Sequence, residues 1–115
     1  MNKQKAEERT YIENLKALIH KTLEDGKADD IVLIDVSNKT DICDYMIVAS
    51  GTSSRHISSL ADKITFDIKH SDLDVRYNCE GLTDGRWVLI DCMDIIVHLF
   101  LPDTREDFKI EELWS

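Results

Sequence analysis

The chain has 115 residues, of which 43% are hydrophobic and 32% charged, with one proline and four glycines. This is the length of one domain, and the composition excludes a disordered, collagen-like or linker segment. The 14 basic and 23 acidic groups leave a net charge of −9, which argues against nucleic-acid binding, because that affinity rests on Lys and Arg neutralising phosphates.

Residues 4–25 read as a helix. Ile12, Leu15, Ile19 and Leu23 make one apolar stripe at three- and four-residue steps, and Gly26 stands where a C-terminal cap belongs. Residues 31–36, IVLIDV, are β-branched and almost wholly apolar, which predicts an interior strand covered on both faces. The polar stretch 37–43 is turn-like, and YMIVAS at 45–50 is a second apolar strand. Gly51-Thr52-Ser53-Ser54 follows, with Thr52 or Ser53 placed to cap a helix. Ile57, Leu60, Ala61, Ile64 and Ile68 then define that helix over 54–69. Residues 74–79 are a weaker strand, so strand, helix and strand make a βαβ unit whose two strands run parallel.

The last third reads as a hairpin, RWVLIDC at 86–92 and IIVHLFL at 95–101 around Met93-Asp94, stopped by Pro102. The tail 103–115 is acidic, with Phe108, Ile110, Leu113 and Trp114 as apolar pegs, and is expected to form a short helical turn or to dock on the body. The whole is one α/β domain over 1–115, with the N-terminal helix, a core over about 31–101 and the C-terminal tail.

A two-residue loop sets Cys92 against Ile95, Leu89 against His98 and Trp87 against Phe100. Alternation then puts Val88, Ile90, Cys92, Ile95, Val97 and Leu99 on one aliphatic face. The other face holds Trp87, Leu89, Asp91, Ile96, His98 and Phe100. Large aromatics mixed with an acid and a histidine make either an interaction surface or an interior face whose polar groups are satisfied under a covering helix.

Other chemistry is thinly supported. Ser50 to Arg55 opens a helix, where backbone N–H groups suit an anion, but neither phosphate-loop spacing nor G-x-G-x-x-G is present. Asp91 and Asp94 are paired carboxylates of the kind that hold a divalent metal, yet the hairpin register turns them apart. Glu80-Gly81 and Asp84-Gly85 read as turns. Cys43, Cys79 and Cys92 are odd in number and widely spaced, which fits neither a disulfide framework nor a zinc site. Cys43 has no neighbouring cation to activate it, and His20, His56, His70 and His98 lack ligand spacing. No apolar run approaches the roughly 20 residues that span a bilayer, and MNKQKAEERT is charged with no apolar stretch behind it, so no secretory signal is expected. Residues 1–30 carry six basic and seven acidic groups, against four and eleven in residues 71–115. The balanced start favours a bacterial cytoplasm over an organelle. The acidic end serves solubility and suits a basic protein partner.

Two blocks of the chain resemble the ribosomal silencing factor, or Iojap-like, family. The first is Asp44-Tyr45-Met46-Ile47-Val48-Ala49-Ser50-Gly51-Thr52-Ser53-Ser54-Arg55-His56. The second is Glu80-Gly81, then Gly85 to Asp91, then Asp94 to Phe100, with Arg105 and Leu113-Trp114 at the family's usual end. The resemblance implies a small α/β protein with a mixed sheet flanked by helices, similar to the nucleotidyltransferase fold. It implies binding to the large ribosomal subunit through that subunit's ribosomal protein number fourteen, steric exclusion of the small subunit, and repression of translation when nutrients are short. Organellar relatives act in assembly of the large subunit. Neither catalysis nor a cofactor is implied, and the chain is expected to be a monomer or weak homodimer with little direct contact to nucleic acid. Many members carry Gly where this chain has Met93, so a positive φ there would strain the turn. Within the second block, Trp87, Leu89, Asp91, His98 and Phe100 are the expected partner contacts, with Asp94 and Arg105 at the rim. The rival from another class is a metal-dependent nucleotidyltransferase using the Gly51–Arg55 turn with Asp91 and Asp94.

Overall fold

A computed structural model of the chain describes residues 3–114; the 1–115 span assigned to the domain extends past these at both ends. Helix α1 covers Lys3–Asp25 and strand β1 Asp29–Asp35, followed by β2 at Tyr45–Ser50 and α2 at Ser54–Lys69. Three strands come next, β3 at Asn78–Glu80, β4 at Trp87–Asp91 and β5 at Ile95–Phe100, and two short helices close the chain, α3 at Pro102–Phe108 and α4 at Ile110–Trp114. The strands form one mixed sheet in the order β1-β2-β5-β4-β3. β2 and β5 run parallel at its centre, and the remaining neighbours are antiparallel.

The two central strands are buried almost throughout, as continuous apolar runs require when both faces are covered. One face carries Ile47, Ala49, Val88, Ile90, Cys92, Ile95, Val97 and Leu99, packed on Leu15, Ile19 and Leu23 of α1 and on Ile57, Leu60, Ala61, Ile64 and Ile68 of α2. The other face carries Ile34, Met46, Val48, Ile96 and Phe100 with Val36, Cys43 and Ile110, flanked by Val32, Trp87, Leu89 and Trp114. The aliphatic and mixed faces of the hairpin therefore fall as alternation predicts. The register is also as predicted, with Trp87 opposite Phe100 and Leu89 opposite His98.

Three expectations need correction. Strand β1 lies at the edge of the sheet, and Leu33 is 44% exposed. Its apolar run serves two half-covered faces, with Ile31 packed toward the helices and Val32 and Ile34 toward the opposite layer. An extra residue bulges β1 between Asp29 and Val32, where Asp30 has φ +50°. A bulge and flanking acids blunt an open edge against pairing with another chain. The weak strand expected over 74–79 shifts and shortens to Asn78–Glu80 and pairs antiparallel with β4. It keeps the direction of β2, but β5 and β4 lie between them, because the more apolar hairpin takes the interior of the sheet. The tail forms two helices rather than one turn, and it docks on the body as the alternative expected. Ile110 is buried and Trp114 partly covered, whereas Phe108 and Leu113 stay exposed.

The cap of α1 also differs from expectation. Lys27, not Gly26, holds the left-handed position, at φ +61°. Its N–H bonds the Glu24 carbonyl at 3.0 Å and the Ala28 N–H bonds that of Leu23 at 2.9 Å, the paired bonds of a Schellman ending. Gly26 is needed for space, since a Cβ there would stand 2.5 Å from Leu60 Cδ2.

Candidate protein-docking site

The aromatic end of the mixed face is built on β4 and β5 and closed by α3. The Trp87 indole N–H donates to His98 Nδ1 at 3.1 Å. The Trp87 ring stacks on Phe100 at 4.9 Å between centroids and meets Phe108 at 4.8 Å. Phe100 is fully buried, His98 is buried, and Trp87 and Leu89 are half-buried. Phe108 is 51% exposed. Neither reading of this face holds alone: its floor is interior, and its rim, formed by Trp87, Leu89 and Phe108, is surface. Phe108 escaped the residue-by-residue reading because its partner sits 21 positions earlier on another element, and no local spacing announces that contact.

His98 is the unusual member. An indole N–H only donates, so Nδ1 is the acceptor and the neutral ring carries its proton on Nε2. Nε2 is buried with no hydrogen-bond partner among the described residues. Burial pushes the His98 pKa down from 6.5 to about 4, since a charged imidazole loses its hydration there. The ring is thus neutral at physiological pH and serves as the acceptor that orients Trp87.

The remaining predicted contacts are divided between the two ends of the sheet. Arg105 joins the aromatic end. Its Nη1 donates to Ser50 Oγ at 2.8 Å and its Nε to Glu111 Oε1 at 2.5 Å, with the guanidinium side chain only 12% exposed. It therefore clamps α3 and α4 to the end of β2. Asp91 and Asp94 lie at the opposite end, four residues along the strand from Trp87, or about 13 Å. Asp91 Oδ1 accepts the Met93 N–H at 2.9 Å. The Asp94 carbonyl accepts the N–H groups of Asp44 at 2.8 Å and Tyr45 at 3.2 Å. The Asp94 N–H returns to the Cys92 carbonyl at 2.9 Å across Met93, whose φ is +71°, so the turn carries the strain expected for a side chain in glycine's place.

This layout weakens the enzyme alternative. The Gly51–Arg55 turn follows the C-terminal end of β2, while Asp94 stands beyond the other end of the parallel β2–β5 pair and Asp91 lies one residue inside that end, opposite Ile96. The strand length separates them from the turn by roughly 15–20 Å, too far to share one reacting phosphate. Two backbone donors of the turn and the first one past it are also occupied. Gly51 N–H bonds the Phe100 carbonyl at 2.9 Å, Thr52 N–H bonds His56 Nδ1 at 2.9 Å, and His56 N–H bonds the Ser53 hydroxyl at 3.1 Å. With Nδ1 accepting, His56 Nε2 donates to the Gly26 carbonyl at 2.8 Å and ties this turn to the end of α1. The motif is a capped strand-to-helix connection, and Ser53 is the cap.

Cys43 and Cys92 are buried and Cys79 is half-buried. Burial is the main cause raising the pKa of all three, and it takes Cys92 to about 12. Among the described residues no group of three or more His, Cys, Asp or Glu side chains is arranged to hold a metal ion, and no helix is long and apolar enough to cross a membrane.

The fold defines a small α/β protein with a mixed five-stranded sheet, one end of which presents a partly open aromatic face. The family model described as ribosomal silencing factor during starvation matches residues 8–115, and the chain belongs to that family. It is 38% identical over 104 residues to a ribosomal silencing factor of Chromobacterium violaceum, covering 90% of this chain and 84% of the relative. A ribosomal silencing factor of Zymomonas mobilis is 40% identical over 103 residues, covering 90% and 77%. A mouse protein named for mitochondrial assembly of the ribosomal large subunit is 33% identical over 95 residues, covering 81% of this chain and 42% of its own length. Among solved structures, a Chromobacterium violaceum protein 38% identical in sequence superposes with a TM-score of 0.85, covering 90% of this chain and 85% of the other.

Proposed function

We propose that this protein is a translation-silencing factor of the bacterial cytoplasm. It docks on the large ribosomal subunit through ribosomal protein number fourteen and acts as a steric wedge against the small subunit, repressing translation when nutrients are short. It works by occupancy, without catalysis or a cofactor, as a monomer or weak homodimer. The observation that carries this reading is the half-open cluster of Trp87 and Phe108 on a chain whose last 45 residues hold eleven acidic and four basic groups. Aromatic anchors supply affinity at such faces, and an acidic surround steers a basic partner. Trp87, Leu89, His98, Phe100 and Arg105 build or brace this surface, while Asp91 and Asp94 belong to a separate acidic end.

The test is co-sedimentation with separated ribosomal subunits, using Trp87→Ala and the milder Phe108→Ser. Each variant is expected to weaken binding by ~10-fold or more, the loss typical of a central aromatic anchor. Melting curves show whether each variant remains folded. Folded variants that bind like the parent protein refute the aromatic assignment. A second reading, assembly of the large subunit without silencing, is favoured by the mouse relative's name. Binding only to precursor particles, with no effect on subunit joining, would support it.

A further inference from the structure

At the end of the sheet opposite Trp87, the loop 37–44 meets the β4–β5 turn. The Asp44 N–H donates to the Asp94 carbonyl, which fastens one segment to the other. Each segment holds a large apolar side chain out in solvent within two residues of that junction. Ile42 is 71% exposed and Met93 59% exposed. Between them Cys43 is buried and anchors the loop to the core. Asp44, Asp91 and Asp94 lie close enough for their charges to add to the effect of burial on its thiol, and Asp41 stands exposed beside Ile42. Among the described residues, two cations of the flanking segments are engaged elsewhere. Lys16 pairs with Glu13 and lies over the Tyr45 ring, and Lys39 donates to the Trp114 carbonyl.

Exposed apolar side chains flanked by carboxylates have the make-up of a small protein contact, an apolar centre with a polar rim. Negative charge repels phosphate, so the occupant is not nucleic acid, and it disfavours a second copy of this acidic chain. We infer that Ile42 and Met93, with Asp41, Asp44, Asp91 and Asp94 around them, form a second docking surface for a basic face of a protein on the large subunit. This rests on the proposed reading, and it means that the wedge is held at both ends of its sheet.

Met93 makes the test clean. Met93→Gly removes the exposed side chain and also relaxes the left-handed backbone, so lost binding cannot be put down to misfolding. The double variant Ile42→Ser/Met93→Gly is expected to bind the large subunit ~10-fold more weakly while melting no lower than Ile42→Ser alone. Asp41→Asn/Asp44→Asn is expected to slow association and flatten its salt dependence. The same charge change on the exposed outer side of the helical layer, Glu24→Gln/Asp62→Asn, is the control and should do less. Unchanged affinity of the double variant, or equal effects from the two charge changes, overturns the second surface while leaving the Trp87 reading in place. A change in self-association alone, with subunit binding untouched, also overturns it. Failure of the parent protein to bind the large subunit removes both.

Discussion

Acid should loosen the hairpin through one residue. His98 is buried against Trp87, Phe100 and the strands on either side, and burial holds its ring neutral down to about pH 4. In the unfolded chain the imidazole takes up its proton near its ordinary value of 6.5. Between these values the unfolded state binds more protons than the folded state, so stability rises with pH. The contribution is fully present above the unfolded value and is lost as pH falls toward the folded one. Linkage then gives a loss of about 2 kcal/mol between pH 7 and pH 5, approaching about 3 kcal/mol by pH 4. The assay is urea unfolding at pH 7 and pH 5 for the parent protein and for His98→Leu. The substitution strands the Trp87 indole N–H and lowers stability at both pH values. What isolates the histidine is the acid-dependent part, which should shrink by about 2 kcal/mol in the variant. Equal acid losses in the two proteins would refute the assignment of a buried neutral ring.

Further outcomes follow from other contacts. Lys27→Gly should stabilise the protein by about 1 kcal/mol in urea unfolding, because Lys27 ends α1 in a left-handed conformation that suits glycine. Arg105→Ala should cost about 1–3 kcal/mol, since it strips a nearly buried guanidinium of its bonds to Ser50 and Glu111. Arg105→Lys should fail to restore the loss, because one ammonium does not reproduce the fork. Ellman's reagent at pH 8 should label Cys79 first and Cys92 only as the protein unfolds, in keeping with a half-buried thiol and a fully buried one raised to about 12. Labelling of Cys92 at the rate of Cys79 would contradict the packing of the aliphatic face.

Much of the fold was legible because its signals are local. The stripe from Ile57 to Ile68 and the apolar runs at 45–50 and 95–100 each carry their own period, and a two-residue loop sets the hairpin register without help from the rest of the chain. The place of β1 was not legible in this way. IVLIDV reads alike in the middle of a sheet and at an edge where a helix and a loop layer each cover half of it. Strand order is likewise a competition among all five strands, and a three-residue β3 loses the interior to the hairpin. At the site, alternation grouped Trp87, His98 and Phe100 correctly on one face. It could not place Phe108 on Trp87, nor separate Arg105 from Asp94, since both relations depend on where α3 and the β4–β5 turn lie in space. The left-handed Met93 was legible only through the resemblance, as a side chain where relatives carry glycine.

The most direct test of the account is subunit joining. Purified small and large subunits are mixed at fixed Mg²⁺ and salt with increasing protein, and joined ribosomes are resolved by sedimentation. The account predicts that the protein travels with the large subunit alone and that joined ribosomes decline as that occupancy rises. Full joining at saturating occupancy of the large subunit, or binding to neither subunit, would contradict it.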